Sequence, residues 1–206
     1  MGFFSSSKSS PEPSNKVWKT DSEFLKGITR EALLSIRNSE TTAIITVFEE
    51  AQKRIITFLN SAGITFNNLD PFSGKDALDN ATIIHVIDAS SGIISRSLTL
   101  NKKVNFLFFG HYPYAPVEKT IIEQLGTQFT SGKISFCSSL DAPFFEAFGG
   151  ANLKPTMEAL GMREDEFIEH KMVNKAILNA MEKIDKKVIT ERKAKSEREW
   201  FEKNVE

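Results

Sequence analysis

Polar side chains of the kinds that bind ligands follow several apolar runs of this chain. Asp88 to Gly92 comes directly after the run Thr82 to Ile87, and Gly110-His111-Tyr112 follows the run Val104 to Phe109. If these runs are parallel strands, their carboxyl ends meet at one edge of a sheet, where open α/β sheets bind ligands. Carboxylates, hydroxyls and an imidazole gathered there would suit a cation or a small polar ligand. The candidate ligand-binding residues are Asp70, Asp88, Ser90, Ser91, Arg96, His111 and Tyr112.

The same residues also have an explanation that needs no ligand. Gly110 to Tyr114 is typical of a tight, proline-bent loop whose tyrosines cap the end of a sheet. Arg96 in a loop is equally a surface charge or the partner of a carboxylate. A structure that gathers Asp88 and His111 in one cleft would favour the ligand site, and their dispersal would favour the loop.

Signatures of phosphate binding and of catalysis are missing from the sequence. It contains no GxxxxGK[ST] motif, the loop that cradles nucleotide phosphates. The nearest stretch, Gly126 to Lys133, has one residue too many and Ile134 where a hydroxyl for Mg²⁺ is required. There is no Ser-His-Asp or Cys-His signature and no zinc-binding spacing, and Cys137 lies in a predicted strand, where an inert buried thiol is expected. We therefore predict no catalytic residue, no metal and no cofactor.

Strand and helix patterns alternate along the first two thirds of the chain. Apolar runs predict strands at 42–48, 64–69, 82–87, 104–109 and 134–137, and apolar stripes predict helices at 21–38, 49–62 and 116–125. This alternation predicts an α/β fold with a parallel sheet covered by helices on both faces. Beyond Leu140 only helices are predicted. The predicted organisation is a disordered Ser/Pro leader over 1–15, an α/β domain over 16–150 and a helical extension over 151–206.

Composition narrows the classes of partner. The 206 residues carry a formal net charge of −1, so no overall attraction to nucleic acid or to an anionic membrane is expected. No apolar run approaches the roughly 20 residues of a membrane-spanning helix, and the start does not resemble a secretory signal. The single cysteine cannot form an internal disulfide, which fits a reducing compartment. The predicted location is the cytoplasm.

The last segment and two histidines have mainly structural interpretations. Charges at helical spacing over Lys186 to Glu206 predict a solvated helix. Trp200-Phe201 within it is apolar, and either docks back on the body or covers a partner. His85 lies inside an apolar run and is predicted to be a hydrogen-bonded core residue, and His170 is predicted to start a helix or to pack.

The stretch Ser139 to Ala176 carries a resemblance to a known family. It combines Phe148-Gly149-Gly150, Leu160-Gly161-Met162 and Ile168-Glu169-His170 in one ordered block. This block resembles SecA, the ATP-driven motor of bacterial protein export, at the point where its second nucleotide-binding lobe runs into the helical scaffold. The likeness extends unevenly over about 16–187. It implies a RecA-like fold of the P-loop NTPase type, with a C-terminal helical extension.

The chain departs from the family where the motor keeps its catalytic arginines. The family has a Gly-Arg-Gly-Thr-Asp loop in the region matching 82–95, and here Ser91 stands for the arginine and Ile94 for the aspartate. The family's Arg-Gly-Arg-x-Gly-Arg finger corresponds to 126–132, which contains no arginine. The chain also lacks a counterpart of the first lobe. Since such arginines accelerate phosphoryl transfer by about 10³ to 10⁵, the departures predict a chain that is not an enzyme.

The predicted function is therefore a non-catalytic SecA-like pseudo-ATPase domain that acts as a protein-interaction or accessory module linked to protein export. A lone second lobe would expose the face that once met the first lobe, so self-association or a protein partner is expected, with the export machinery as one candidate. Two alternatives stay open. One is a small-ligand binder or enzyme using the strand-end cleft around Asp88 and His111, and the other is a nucleotide binder without hydrolysis.

Overall fold

A seven-stranded sheet forms the centre of the protein. The computed structural model describes residues 13–69, 78, 80, 82–92, 94, 103–128, 132–148, 153–159 and 161–205. The strands are β1 (Ser14–Trp18), β2 (Thr41–Thr46), β3 (Phe66–Leu69), β4 (Ile84–Asp88), β5 (Val104–Phe109), β6 (Ile134–Ser139) and β7 (Phe167–Ile168). They are ordered β3-β4-β2-β5-β6-β1-β7, and every neighbouring pair is parallel except β1 with β7.

Helices cover both faces of the sheet. They are α1 (Asp21–Arg37), α2 (Glu49–Ser61), α3 (Ala115–Gln128), α4 (Pro143–Ala147), α5 (Leu153–Ala159), α6 (Lys171–Lys187) and α7 (Glu197–Asn204). The helices α1 and α2 contact each other on one face, and α3 and α6 contact each other on the other face. The predicted α/β architecture, a mostly parallel sheet with helices on both faces, is confirmed.

The central strands are buried along their whole length. All residues of β2, β5 and β6 are buried, as expected for parallel strands with helices on both sides. Register places Ile44 between Val86 and Leu107, and the rings of Phe108 and Phe136 lie 4.6 Å apart on adjacent strands. These apolar side chains form one continuous core, which fixes the strand ends in space.

The residues of helix α1 determine where it starts and how closely it packs on β1. The Thr20 hydroxyl caps the helix by accepting a hydrogen bond from Glu23 N, and Asp21 and Glu23 place negative charge at its positive end. Gly27 lies directly under the Trp18 indole, and a Cβ at this position would overlap that ring. Glycine therefore lets α1 approach β1 closely, next to the carboxyl end of the strand.

Several elements differ from the sequence-based expectations. The prediction that only helices follow Leu140 is wrong, because Phe167–Ile168 forms β7 and pairs with β1. The strand β1 begins at Ser14 and so includes the last two residues of the predicted leader. The prediction of one solvated helix over Lys186 to Glu206 is also wrong, because α6 ends at Lys187 and α7 begins only at Glu197.

Candidate ligand cavity at the strand ends

A cavity of about 240 Å³ lies beyond the carboxyl ends of β2, β5 and β6. Its walls come from the start of α1, the start of α2, the turn before α4 and the first residues of α7. The lining residues are Asp21, Phe24, Phe48, Glu50, Ala51, Arg54, Phe109, Gly110, His111, Ser138, Ser139, Asp141, Ala142, Pro143, Ser196, Glu197 and Arg198. This is the edge of the sheet where α/β proteins bind ligands, although the cavity is smaller than the roughly 300–1,000 Å³ of common ligand pockets.

His111 is held rigidly at the side of this cavity. Gly110 adopts a φ of +84°, which turns the chain sharply after β5. The His111 ring is buried and stacks on Phe136 with centroids 4.2 Å apart. Its Nδ1 lies 3.0 Å from Glu118 Oε2, and its Nε2 lies 2.7 Å from Asn15 Oδ1. Both ring nitrogens therefore have protein partners.

Glu118 fixes the loop as well as the imidazole. It belongs to the first turn of α3 and is buried, and its Oε2 accepts a hydrogen bond of 2.9 Å from Tyr112 N. Asn15, on β1, donates in turn to Asn174 Oδ1 on α6 at 3.1 Å. A buried polar chain thus links β1, the loop after β5, α3 and α6, and it satisfies groups that would be costly to leave unpaired.

Tyr112 belongs to the attachment site of the C-terminal segment, which we define as residues 188–205. Its hydroxyl donates to Glu191 Oε1, and the same oxygen accepts from Trp200 Nε1 at 3.0 Å. The Tyr112 ring stacks on Phe48 at 5.2 Å. Burial, together with the Glu191 carboxylate, raises the pKa of the Tyr112 hydroxyl, so it stays protonated and donates.

The C-terminal segment closes one side of the cavity. Trp200 and Phe201 are buried, Glu50 N donates to Lys195 O at 3.0 Å, and Phe144 N donates to Glu197 Oε1 at 3.2 Å. Glu197 is half-buried and faces the cavity. Desolvation by the surrounding protein raises its pKa to about 8, and outweighs the hydrogen bond from Phe144 N, which lowers it. The sequence left open whether Trp200-Phe201 docks on the rest of the chain or covers a partner. In the structure the pair docks on the rest of the chain.

Charged groups on the α1 side of the cavity are mostly paired. Asp21 accepts from Ser139 Oγ at 2.6 Å and from Arg54 at 3.2 Å, and its backbone N donates to Asp141 Oδ2 at 3.0 Å. Partial burial favours a higher pKa of Asp141, but the hydrogen bonds from Lys154 and from Asp21 N outweigh it and hold the pKa below its usual value. The carboxylates here are thus satisfied without a bound cation.

The predicted ligand-binding residues do not all meet at the cavity. His111 lines it, and Tyr112 lies beside it under the C-terminal segment. Asp88 is not among the lining residues. Asp88 instead closes its own turn by accepting a hydrogen bond from Ser90 N at 2.8 Å. The backbone oxygen of the neighbouring Ser91 accepts a hydrogen bond from Lys193 Nζ at 3.5 Å.

Asp70 and Arg96 lie outside the described residues. Ligand binding by the predicted set stays a prediction.

The residues interpreted as structural behave as expected. His85 is buried, its Nε2 lies 2.8 Å from Asn80 O, and burial lowers its pKa. Cys137 is buried in β6, and burial raises the pKa of its thiol. His170 caps α6 by accepting from Met172 N at 3.2 Å. These three interpretations are confirmed.

The fold and the position of the cavity place this chain among α/β proteins with a mostly parallel central sheet. No protein-family model matches it. Among curated proteins it is similar to the protein translocase subunit SecA of Treponema denticola, with 43% identity over 60 residues, and to that of Psychrobacter cryohalolentis, with 35% identity over 77 residues. These matches cover 29% and 37% of this chain but only 6% and 8% of the two relatives. The chain thus matches a small part of each SecA subunit.

Among solved structures, the chain is similar to a crystal structure of the C-terminal part of the Fun30 ATPase domain. The TM-score is 0.40 at 12% sequence identity, over 75% of this chain and 53% of that one.

The prediction that this chain is not an enzyme is contradicted by these comparisons. The curated proteins that it matches are SecA translocase subunits, the family that the sequence resemblance identifies as ATP-driven motors. What stands is the similarity itself: 60 to 77 residues of the chain are similar to part of SecA subunits. None of the helices in the described part of the chain has both the length and the apolar character needed to cross a membrane.

Proposed function

We propose that this chain is a SecA-related ATPase-fold domain that binds a protein of the export machinery in the cytoplasm. The observation that carries the proposal is the similarity to SecA subunits over 60–77 residues. The partner, the location and the role in export go beyond that similarity and are proposed here.

The strand-end edge already holds a segment of this same chain. It buries the short helix α7 through two aromatic anchors and a hydrogen bond from Phe144 N to Glu197, and Tyr112 donates to Glu191 in the stretch before that helix. Buried aromatic anchors surrounded by polar contacts are the usual basis of tight protein–protein contacts. Because a helix of the chain itself occupies this edge, the protein partner is proposed to bind elsewhere on the surface.

Crosslinking in the cells that produce this protein tests the proposal. A photoreactive residue is placed at exposed surface positions on each face, among them Lys175 on α6 and Lys53 on α2. We expect at least one position to crosslink to SecA or to the export channel, identified by mass spectrometry. Crosslinks to neither of these proteins from any position would contradict the proposal.

A second function, small-ligand or nucleotide binding at the strand ends, is favoured by the composition of the cavity. Arg54 and Arg198 face it together with His111, and arginine guanidinium groups suit phosphate oxygens. Titration with ATP, ADP and inorganic phosphate, followed by NMR of the His111 ring, tests this function. Saturable shifts of the His111 signals that Arg54→Ala abolishes would support it, and unchanged spectra at millimolar ligand would exclude it.

A further inference from the structure

An apolar groove of about 320 Å³ lies at the opposite end of the molecule from the cavity. It runs between the second half of α1 and the end of α2. Because both helices run back across the sheet after their strands, their last turns lie near the amino ends of the strands. The lining residues are Lys26, Thr29, Arg30, Leu33, Leu34, Arg37, Phe58, Ala62 and Ile64.

The floor of the groove is apolar and partly open to solvent. Leu34 is 45% exposed and is one of few large apolar side chains with such exposure in the described residues. Leu33, Phe58 and Ile64 are half-buried around it. The Thr29 hydroxyl is buried beside them and makes no hydrogen bond within the described part of the chain. A concave apolar surface of this kind is typical of sites that receive a peptide.

The rim of the groove is positively charged. Lys26, Arg30 and Arg37 are exposed and follow one stripe of α1, since four and seven residues separate them. Lys26 pairs with Glu23 at 2.7 Å and Arg30 with Asp165 at 3.5 Å. Surface pairs of this type contribute about 0–1 kcal/mol and exchange readily. Arg37 forms no ion pair with any residue that the structure describes.

We propose that this groove binds an acidic amphipathic helix of the protein partner. Two apolar side chains one turn apart would enter the groove beside Leu33 and Leu34, and flanking carboxylates would pair with Arg37 and Arg30. Charge complementarity favours an acidic segment, because all three rim charges are positive while the whole chain carries −1. The inference rests on the proposed function and names the partner-binding surface and the chemistry of the segment that it takes.

A synthetic peptide tests the groove directly. The probe is a fluorescent helical peptide of roughly 14 residues, about four turns, with leucines at one-turn spacing and glutamates elsewhere. Its control replaces every glutamate by lysine. We expect the acidic peptide to bind the full chain and the basic peptide not to bind, with binding that weakens as salt is raised.

Two exposed substitutions locate the binding site. Arg37→Glu and Leu34→Ser should each weaken binding of the acidic peptide by about tenfold or more, because one reverses the rim charge and the other removes an apolar wall. Lys175→Glu, on α6, makes the same charge change away from the groove and should leave binding unchanged. Circular dichroism of each variant checks that the fold is retained.

Several results would overturn the inference. Equal binding of the two peptides, or full binding by Arg37→Glu, would show that the groove does not select acidic segments. Binding to vesicles of anionic phospholipid that Arg37→Glu abolishes, without peptide binding, would assign the groove to a membrane surface. A dimer of the free chain that Arg37→Glu dissociates would assign it to a second copy.

Crosslinking of the wild type and of Arg37→Glu distinguishes failure of this inference from failure of the proposed function. If the Arg37→Glu variant still crosslinks to SecA or to the channel as the wild type does, the groove is not the partner site, and the proposed function stands. If the wild type crosslinks to neither while the peptide still binds, the proposed function fails and the selectivity of the groove remains.

Discussion

Trp200→Ala tests whether the C-terminal segment is an integral part of the domain. Trp200 is 0% exposed, and its ring packs edge-on against Phe201 and Tyr112 at 5.5 Å and 6.2 Å. Removing a buried tryptophan side chain costs about 3–5 kcal/mol. The substitution also removes the indole N–H that donates to Glu191. We expect the free energy of unfolding to fall by this amount.

Denaturant unfolding with hydrogen exchange measures the effect and locates it. If the segment detaches as a unit, exchange should rise over residues 197–204 while the amides of β5 keep their protection. Trp200→Phe keeps an aromatic ring but removes the N–H donor and part of the ring volume, so it should cost less than Trp200→Ala, about 1–3 kcal/mol. Lys175→Ala, on an exposed face, should change stability by less than about 0.5 kcal/mol.

A loss below about 1 kcal/mol for Trp200→Ala, with unchanged exchange over α7, would refute this reasoning. Such a result would mean that the indole is not packed as described. The conclusion that the C-terminal segment closes one side of the cavity would then be wrong.

Three further changes test the interior. The pKa of Glu197 is raised from 4.5 to about 8, so the protonated carboxyl favours the docked state of the C-terminal segment. Docking should be strongest below about pH 5 and should weaken as pH rises toward 8. Hydrogen exchange over α7 should therefore depend on pH in the wild type and not in Glu197→Gln. Gly27→Ala places a methyl group against the Trp18 indole and should lower the free energy of unfolding, measured in urea, by about 1–3 kcal/mol. Gly126→Ala, in a helix with open space around it, should raise that free energy by about 0.5–1 kcal/mol. Glu118→Gln weakens a buried charge-assisted pair and should cost about 1.5–3 kcal/mol in thermal unfolding, while Glu123→Gln on the exposed side of the same helix should be nearly neutral.

The sequence predicted the central strands well because their signal is local. The run over 104–109 is apolar throughout except for Asn105 and lies between a lysine and a glycine, and β5 has these bounds in the structure. Helix α1 was equally readable, since Thr20 and the acidic residues after it form a standard start signal. Strands buried on both faces and well-capped helices are therefore predictable from their own residues.

The sequence could not reveal contacts between distant segments. His111 was selected because it follows a strand, but its partner Asn15 lies 96 residues earlier. Glu118 lies seven residues later, and its position at the start of a helix following a proline-containing loop was the one local signal available. The Trp200 seat depends on Tyr112 and Glu191, which no spacing rule connects.

Short or strongly charged segments were misread for a physical reason. The two residues of β7, Phe167 and Ile168, follow an acidic turn and show too little alternation to indicate a strand. The charges over 186–206 fit a solvated helix, but Ser196 caps a new helix by accepting from Glu199 N. The strand β7 forms because it pairs with β1, and α7 forms where it packs on the rest of the domain. Neither contact is visible in a single sequence.

Calorimetric titration of the purified chain into purified SecA from the same organism tests the central proposal most directly. We expect saturable binding with a Kd at or below about 10 μM, a range typical of specific protein contacts. Absence of heat at concentrations up to about 100 μM of each protein, with both shown to be folded, would contradict it.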